Sequence, residues 1–437
     1  MEASLNKTDT FSVMSYTKRE QYLTLVGVVM AWAFDAADYL LLTFLIKQIG
    51  KDFGFSQDTK AWLMGLQLLG TAIGGIIFGY LGDTIGRKKT LITVITIYSI
   101  FTALTAFAYS TAILFILRIC TGIGVGGVWA LGSSLINEIW PKERRNVGIA
   151  ITQAGWPFGE LLAALLVTFV VEPFDRQSHS LFNKPFHGWR FAFLFGGFAI
   201  LTAVYIYFYV PESKAWLKQK ELKKAGKEVE NDLSLRVFKN LFAPDIRWTF
   251  ALGLLFGITG MMAFYSINSW LPEYYQLNGL TLKDSALMIG IFWGTSGYIG
   301  HVLFGFVSNW IGRKPTFVIY TSLIVISGVV MYQWVQETWA KYLGLSLFTF
   351  GCGYFSSFGV VFGEIYPTKV RATAASISYN GARGMSLLAP IFVVWIGDIF
   401  NNMGAGLAAG GLFVVLSSII LFFLPTKEGQ DIIAADN

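Results

Sequence analysis

Charged residues inside long apolar runs are the side chains best able to do chemistry in this sequence. Asp35 and Asp38 stand three residues apart, so on a helix they share one face. Two carboxylates this close resist ionising together, which suits a group that takes up and releases a proton. Arg118 falls at a similar depth in another apolar run and is predicted to neutralise one of them. The alternative is a buried ion-pair network that only fixes helix packing.

Two further charges lie inside apolar runs, where an ionised group costs on the order of 3 kcal/mol unless it is paired, protonated or hydrated. Glu160 is predicted to be a third acid of the proton site, with a purely structural role as an equal alternative. Arg383 has no acid inside its own run, so it is predicted to face a cavity unpaired. Because guanidinium holds a carboxylate through two hydrogen bonds, Arg383 and Arg118 are the predicted anchors of an anionic substrate. For Arg383 the alternatives are snorkelling and a pair with an acid of the other half of the chain.

Several uncharged side chains in the same runs are predicted to line that cavity. They are Gln153, Trp156, Tyr379 and Asn380. His301 could move protons, but a lone histidine in an apolar run is more often a packed residue, so it stays outside the predicted site. The sequence contains no metal-ligand cluster, phosphate-binding loop or nucleophile motif, so no metal, cofactor or enzymatic activity is expected.

The elements that carry these charges are apolar and long. Of 437 residues, 54% are hydrophobic and 14% charged, whereas a soluble domain has about 25% charged residues. This composition argues against a soluble enzyme, a nucleic-acid-binding module and a secreted disulfide scaffold. Runs long enough to cross a bilayer as helices occur twelve times. They lie near 22–47, 61–82, 90–108, 112–137, 146–171, 189–210, 248–272, 284–308, 315–335, 340–363, 372–396 and 405–424.

The predicted fold is therefore an all-α integral membrane protein with twelve transmembrane helices in two six-helix bundles. We place a tail at 1–21, the bundles at 22–210 and 248–424, and a second tail at 425–437. The polar stretch 211–247 is the predicted linker, with short amphipathic helices along the membrane surface. Lys and Arg are concentrated on the side that holds the linker and both termini, so that side is predicted to be cytoplasmic. The net charge of +6 is thus an orientation signal rather than a nucleic-acid footprint.

The two halves of the chain repeat one another at a constant offset. GYLGDTIGRKK at 79–89 returns as GFVSNWIGRKP at 305–315, and INEIWPKERR at 136–145 returns as FGEIYPTKVR at 362–371. Matched polar, glycine and proline positions in corresponding loops argue against coincidence. Parallel repeats of this kind predict two pseudo-symmetric bundles with a central cavity between them.

These features together resemble the major facilitator superfamily of secondary transporters, over essentially the whole chain. FDAAD at 34–38, NEIWPKERR at 137–145 and YNGARGMSLLAP at 379–390 look like its metabolite:proton symporters that take up sialic, aromatic or related acids. In that family the repeated loop forms a breakable latch between the bundles. The resemblance implies the latch role for Asp83, Arg87, Glu138 and Arg145, and through the repeat for Glu364 and Arg371.

Ordinary turn chemistry and membrane anchoring remain the alternative for the loop residues, and they account better for Lys88 and Lys89. Asp83 is predicted to pair with a basic residue such as Arg145. Because Asn309 stands where the second repeat would need an acid, we expect the first loop to dominate gating.

The sequence thus predicts a proton-coupled symporter of a small organic anion, a carboxylate or sugar acid, acting by alternating access in the cytoplasmic membrane. Its predicted partners are the anion, the proton and the lipid bilayer, with no nucleic acid, and it is expected to work as a monomer. A neutral-sugar symporter and a drug exporter are the transport alternatives, and two in-span arginines argue against both. A non-transporting membrane sensor or scaffold is the alternative from another class. The identity of the acid and the choice of proton over sodium stay open.

Overall fold

The computed structural model describes residues 16–141, 144–175, 179–181, 184–224, 241–367 and 370–426. The side chains of Arg145 and Arg371 are not among those described. Parts of both predicted tails, and positions 225–240 of the predicted linker, lie outside the described residues.

The first half of the chain folds into six long helical rods. A Thr17–Glu20 capping box begins the first rod, and Gly54 in a left-handed conformation ends it. The unbroken rods are α1 (Lys18–Phe53), α2 (Gln57–Ile85) and α3 (Arg87–Thr105). The segmented rods are α4 (Thr111–Gly126, Val128–Ile139), α5 (Arg145–Gln153, Gly155–Leu166, a π-helical turn Val167–Val171, Glu172–Asp175) and α6 (Gly188–Gly196, a 3-10 turn Gly197–Ala199, Ile200–Tyr209).

The second half repeats this arrangement with six more rods. The unbroken rods are α7 (Arg247–Leu277) and α9 (Arg313–Trp334). The segmented rods are α8 (Leu282–Phe292, a π-helical turn Trp293–Gly297, Tyr298–Ile311), α10 (Thr338–Gly351, a 3-10 turn Cys352–Phe355, Ser356–Ile365), α11 (Arg371–Met385, Leu388–Phe400) and α12 (Met403–Gly411, Phe413–Phe423).

Eleven of these rods are long and apolar enough to cross a membrane, within the part of the chain that the structure describes. The twelfth rod, α3, spans 19 residues and begins with the three basic residues Arg87, Lys88 and Lys89. It packs inside the first bundle against α4 and α6. The twelve-helix, two-bundle fold predicted from the sequence is confirmed.

Close helix crossings inside the first bundle depend on glycine. At Gly74 of α2 an added Cβ would collide with the carbonyl oxygen of Ile123 in α4. At Gly159 of α5 it would collide with the carbonyl oxygen of Ala33 in α1. The absence of a side chain lets the two backbones approach closely. In a bilayer the lipid is as apolar as the helix surface, so helices associate through close packing of this kind rather than through the hydrophobic effect.

The two bundles meet along three pairs of helices. Helix α2 packs on α11, α5 packs on α8, and α1 packs on α7. Each pair joins one rod from each half, as expected for halves related by a two-fold axis along the membrane normal. Residues of α1, α5, α7, α8 and α11 therefore surround the centre of the molecule.

The linker begins by docking onto the loop between α2 and α3. Glu212 accepts a hydrogen bond from the backbone N–H of Lys88 (3.0 Å), and Trp216 donates to the carbonyl of Asp83 (2.9 Å). Helix Lys214–Lys224 follows. At the opposite end of the first bundle, between α5 and α6, strands β1 (Ser180–Leu181) and β2 (Lys184–Pro185) pair antiparallel.

Candidate functional site

A two-point ion pair between the bundles occupies the centre of the molecule. The two terminal nitrogens of Arg383 in α11 donate to the two carboxylate oxygens of Asp35 in α1, at 3.2 and 3.3 Å. The side chains are 3% and 1% exposed, respectively. Because the partners come from different halves of the chain, this pair joins the two bundles in the interior of the molecule.

The third nitrogen and the faces of the Arg383 guanidinium are also engaged. Its Nε donates to the Tyr265 hydroxyl of α7 (3.0 Å). The rings of Trp32 and Trp156 lie 5.7 and 5.6 Å from its central carbon. Aromatic faces stabilise a cation that has left water, so this surrounding holds the guanidinium charged and fixed in position.

Arg383 was expected to be unpaired, and that expectation is wrong. The sequence offered no acid in its own run, and the acid that pairs with it comes from the other bundle. Burial explains the correction, since an unpaired cation at this depth would be far more costly than a pair. The cross-bundle pair was one of the alternatives to direct substrate contact.

Asp38 belongs to a second network, which lies within the first bundle. One oxygen accepts from Arg118 (3.2 Å) and from the Thr102 hydroxyl (2.6 Å), and the other accepts from Gln67 (2.9 Å). Arg118 is fully buried beneath the Phe193 ring and also donates to Thr121 (3.0 Å). Arg118 thus neutralises one acid of the Asp35–Asp38 pair, as its depth predicted, but it does not line the central cavity, where a substrate anchor was expected. The other acid belongs to Arg383.

Glu160 of α5 is buried without an ion-pair partner among the described residues. Its Oε1 accepts from the Trp156 indole N–H (2.9 Å) and, more weakly, from the Asn268 amide (3.5 Å). Its Oε2 has no hydrogen-bond partner in the part of the chain that the structure describes. A carboxyl group in such surroundings is far more stable as a neutral acid than as an anion.

A small cavity lies beside the Arg383 guanidinium, and aromatic rings form most of its wall. Gln153, Trp156 and Tyr379 line it, in keeping with the prediction. Asn380 does not belong to this wall, because its side chain packs against Gly75 of α2. The full lining is Trp32, Gln153, Trp156, Phe264, Tyr265, Trp293, His301, Cys352, Phe355, Tyr379 and Arg383.

Sequence reasoning missed most of the aromatic wall, and it set His301 aside. With 38 Phe, 19 Tyr and 14 Trp in the chain, no single ring could be separated from ordinary helix packing. For His301 a signal existed, since it was a polar side chain in an apolar run, but its α8 neighbours gave it no partner. Only the meeting of α7, α8 and α10 with α1, α5 and α11 brings these side chains together.

A stacked ring pair lies one helical turn from Arg383 on the side of the linker. Trp129 of α4 and Tyr379 of α11 stack across the two bundles, with centroids 4.2 Å apart and planes 11° from parallel. Trp129 also donates its indole N–H to Gln153 of the cavity wall (3.1 Å). The pair therefore connects the two bundles next to the cavity wall, to which Tyr379 and Gln153 belong.

The far end of the molecule is closed by a more extensive polar contact. Lys60 of α2 and Glu273 of α7 form an ion pair across the bundles (2.6 Å), 9% and 1% exposed. Gln57 donates to the same glutamate (3.3 Å), and Tyr39 pairs with Ser269 (2.7 Å) one turn deeper. An added Cβ at Gly50 would collide with the Lys60 side chain, so glycine makes room for it. Sequence reasoning missed this contact because both charges lie at span ends.

We expect the Lys60–Glu273 pair to hold the far end shut. Glu273→Gln leaves Lys60 a buried cation without its counter-charge, so the bundles should separate there. The labelling rate of Gln276→Cys by a membrane-impermeant maleimide, corrected for the native cysteines, should rise roughly tenfold. The exchanged pair Lys60→Glu/Glu273→Lys should restore slow labelling, and Glu337→Gln, at an exposed acid, should leave it unchanged. Equal labelling in Glu273→Gln and the parent protein would contradict the closing role of the Lys60–Glu273 pair.

The loop motifs make equivalent contacts in both halves. Arg87 pairs with Asp83 (2.8 Å) and with Glu138 (3.2 Å). The basic partner predicted for Asp83 is therefore Arg87 among the described side chains. Arg313 contacts Glu364 in the second half. The arginine–glutamate contact therefore survives in the repeat although Asn309 replaces the aspartate. The expected partner Arg145, and Arg371 with it, have side chains outside the described residues.

A family model matches residues 27–360 of the chain, and its description is Major Facilitator Superfamily. The chain belongs to the Major Facilitator Superfamily. This agrees with the twelve-helix fold, the repeated loop motif and the central cavity between two bundles.

Relatives within the superfamily match almost the full length of the chain. A cis,cis-muconate transport protein of Acinetobacter baylyi is 27% identical over 91% of this chain and 93% of its own length. A sialic acid transporter of Escherichia coli is 28% identical over 92% and 93%. The inward-open xylose transporter of Escherichia coli superposes with a TM-score of 0.72, covering 94% of this chain and 98% of its own, at 20% identity. This superfamily chain is accordingly a multi-pass membrane transporter of small molecules and not an enzyme.

Proposed function

We propose that the chain is a proton-coupled symporter that carries a small, planar organic anion, aromatic or conjugated, across the cytoplasmic membrane. The observation that carries the proposal is the Arg383–Asp35 pair beside an aromatic-walled cavity. Arg383 is the cation a carboxylate needs, and Asp35 is a carboxylate already bound to it in the way a substrate would be. Flat rings on the wall favour a flat substrate over a polyhydroxylated one.

Coupling follows from competition for one guanidinium. While Asp35 is ionised, it occupies both terminal nitrogens of Arg383. A proton on Asp35 removes that charge and frees Arg383 for the carboxylate of the substrate. Substrate on Arg383 in turn favours protonated Asp35, since the two effects are one coupling free energy. Anion and proton therefore bind together, as symport requires.

The other two acids have different proposed parts in proton handling. Asp38 has Arg118, Gln67 and Thr102 as fixed partners, so we assign it to holding α1 in position beside Arg118. Arg118 is committed to this network and acts on the substrate only through α1. Glu160 carries a proton of its own, because neutral surroundings disfavour its charged form. Trp156, which donates a hydrogen bond to Glu160, lies on the cavity wall. A change in the protonation of Glu160 therefore acts on the substrate through the Trp156 ring.

Alternating access is proposed to use the two closures of the central cavity. The Lys60–Glu273 contact closes the end away from the linker, and the Trp129–Tyr379 stack closes the linker side. The loop contacts of Arg87 and Arg313 lie within single bundles and stiffen each bundle as it rocks. We place both termini in the cytoplasm, as the basic loops indicate. We also propose that a single chain transports as a monomer.

Relatives support the choice of substrate class. Their names specify cis,cis-muconate and niacin in Acinetobacter baylyi, gallate in Pseudomonas putida and gentisate in Corynebacterium glutamicum, all flat carboxylates. One relative is a sialic acid transporter. A sugar acid is therefore the second candidate substrate. The predominance of aromatic rings on the cavity wall favours the flat carboxylate over it.

Ligand-induced thermal stabilisation of the purified protein tests the proposal. Benzoate, cis,cis-muconate, nicotinate, sialic acid and xylose would be compared at about pH 5 and about pH 8. We expect the flat carboxylates to raise the melting temperature, and more strongly at the lower pH, because protonated Asp35 leaves Arg383 free. Stabilisation by xylose alone would reject the anion assignment, and equal shifts at both pH values would reject proton linkage.

A further inference from the structure

A crevice lies at one end of the first bundle, where α1 begins, α4 ends and α5 begins. Its volume is about 190 Å³, which is room for a phosphate group and several water molecules. Lys214, at the start of the linker helix, donates its backbone N–H to the nearby Tyr16 hydroxyl (2.5 Å), so the crevice is on the linker side of the molecule. The residues that line it are Lys18, Gln21, Tyr22, Trp140, Pro141 and Arg144.

One wall of the crevice is an aromatic ring held in position by α1 and α5. The Trp140 indole N–H donates to the carbonyl of Gln21 (3.2 Å), and the ring meets Tyr22 edge to face, with centroids 6.1 Å apart. An added Cβ at Gly148 would lie 3.1 Å from the Trp140 ring, so glycine lets that ring pack closely on α5. Tryptophan and tyrosine at the ends of transmembrane helices are typical of the membrane–water interface.

Two cations flank this ring, Lys18 in the first turn of α1 and Arg144 just before α5. Both line the crevice, both are exposed, and no acidic side chain of the described residues lines it with them. Glu20, the acid in the first turn of α1, is already engaged by the backbone N–H and hydroxyl of Thr17 (2.7 and 2.9 Å). A guanidinium binds phosphate through two hydrogen bonds and an ammonium binds it as a point charge, so the pair suits a phosphate group.

Apolar side chains extend from the crevice along α1 and α5. Tyr22 and Val26 are four residues apart on α1, Val147 and Ile151 are four apart on α5, and each is about half exposed. Side chains at this spacing share one face of a helix, and α1 packs on α5. Phe158, also exposed, continues the α5 face two turns further. A free anion would leave these rows uncovered, whereas the acyl chains of a phospholipid would lie along them.

We propose that this crevice binds the head group of an anionic phospholipid, with Lys18 and Arg144 on its phosphate and its acyl chains along α1 and α5. Basic pockets between transmembrane helices on the cytoplasmic side suit acidic head groups. The amine of a zwitterionic lipid would find no acidic partner among the described lining residues, so the site favours a lipid with net negative charge. The bound lipid links α1, which carries Asp35, to α5, which carries Glu160.

Native mass spectrometry of the purified full chain measures this preference. The protein is titrated in detergent with phosphatidylglycerol or with phosphatidylcholine of the same acyl chains, and the parent should bind the anionic lipid about tenfold more tightly. In Lys18→Gln/Arg144→Gln the two affinities should lie within about twofold of each other. The matched control Lys89→Gln/Lys218→Gln removes two exposed cations from the same side of the molecule but outside the crevice, so it should keep the preference.

Inorganic phosphate distinguishes a lipid site from a site for a free anion. Excess phosphate should leave the bound phosphatidylglycerol in place, because the ion alone buries no apolar surface along α1 and α5. Displacement by phosphate, equal binding of the two lipids by the parent, or a preference that survives in Lys18→Gln/Arg144→Gln overturns the proposal. These outcomes leave the proposed substrate class untouched, since the crevice is separate from the central cavity. Thermal melting of both double variants shows that the compared proteins are folded.

Discussion

Arg383→Gln is expected to abolish carboxylate transport and to weaken substrate binding by at least about 30-fold. In the parent protein the guanidinium presents two parallel donors, which here hold Asp35 at 3.2 and 3.3 Å. Glutamine supplies a single amide and no charge, so the substrate carboxylate would be left buried without a counter-ion. Binding of radiolabelled ligand and uptake into proteoliposomes measure the two effects separately.

Two matched variants distinguish a binding role from a folding role for Arg383. The single variant leaves Asp35 without its cation, which costs stability as well as binding. The double variant Asp35→Asn/Arg383→Gln removes both charges, so it should recover melting temperature but not binding. Arg383→Lys keeps the charge and loses the two-point geometry, so we expect intermediate affinity. Recovery of carboxylate binding in the double variant would contradict the assignment.

Asp35→Asn is expected to uncouple transport from the proton gradient. The amide mimics a protonated carboxyl, so Arg383 stays available at every pH and substrate affinity should lose its pH dependence. In the parent protein the affinity should fall as pH rises, because ionised Asp35 competes for the guanidinium. Proteoliposomes should therefore exchange substrate in both directions but fail to accumulate it in response to an imposed proton gradient.

Asp38→Asn supplies the comparison for this experiment. Asp38 is held by Arg118, Gln67 and Thr102 within one bundle, so its loss leaves Arg118 buried without a counter-charge. We therefore expect Asp38→Asn to lower the melting temperature clearly. Asp35→Asn removes the counter-charge of Arg383 instead.

Replacing sodium with choline in the buffer should leave accumulation by the parent protein unchanged. Accumulation that persists in Asp35→Asn, or that requires sodium, would overturn the coupling mechanism.

Local sequence patterns were sufficient to predict the architecture. A helix in a bilayer must satisfy its own backbone and expose an apolar surface over about 20 residues, so each span is visible in the sequence by itself. The repeated loops, GYLGDTIGRKK at 79–89 and GFVSNWIGRKP at 305–315, identified the two halves because each motif is a continuous stretch of sequence. The rare in-span charges were visible because so few residues of their kind occur in apolar runs.

Pairing between those charges could be predicted only within one half. The match of Asp38 with Arg118 follows from their depths in neighbouring helices of the first bundle. The match of Asp35 with Arg383 depends on how two bundles face each other, and nothing local to either helix encodes it. The Lys60–Glu273 closure was missed for the same reason. Each residue lies at the end of a predicted span, where a charged side chain is ordinary and indicates no partner.

The sequence by itself determined that this chain is a twelve-helix membrane transporter and which few charged residues its membrane interior contains. Tertiary structure alone decided which charges meet across the two bundles, because the energy of an ion pair depends on the distance between its partners and these partners come from separate halves of the chain. It also decided that the central cavity has an aromatic wall to which Arg383, Trp293 and His301 all belong. Composition shows how many aromatic residues a chain has, and packing determines which of them surround a substrate.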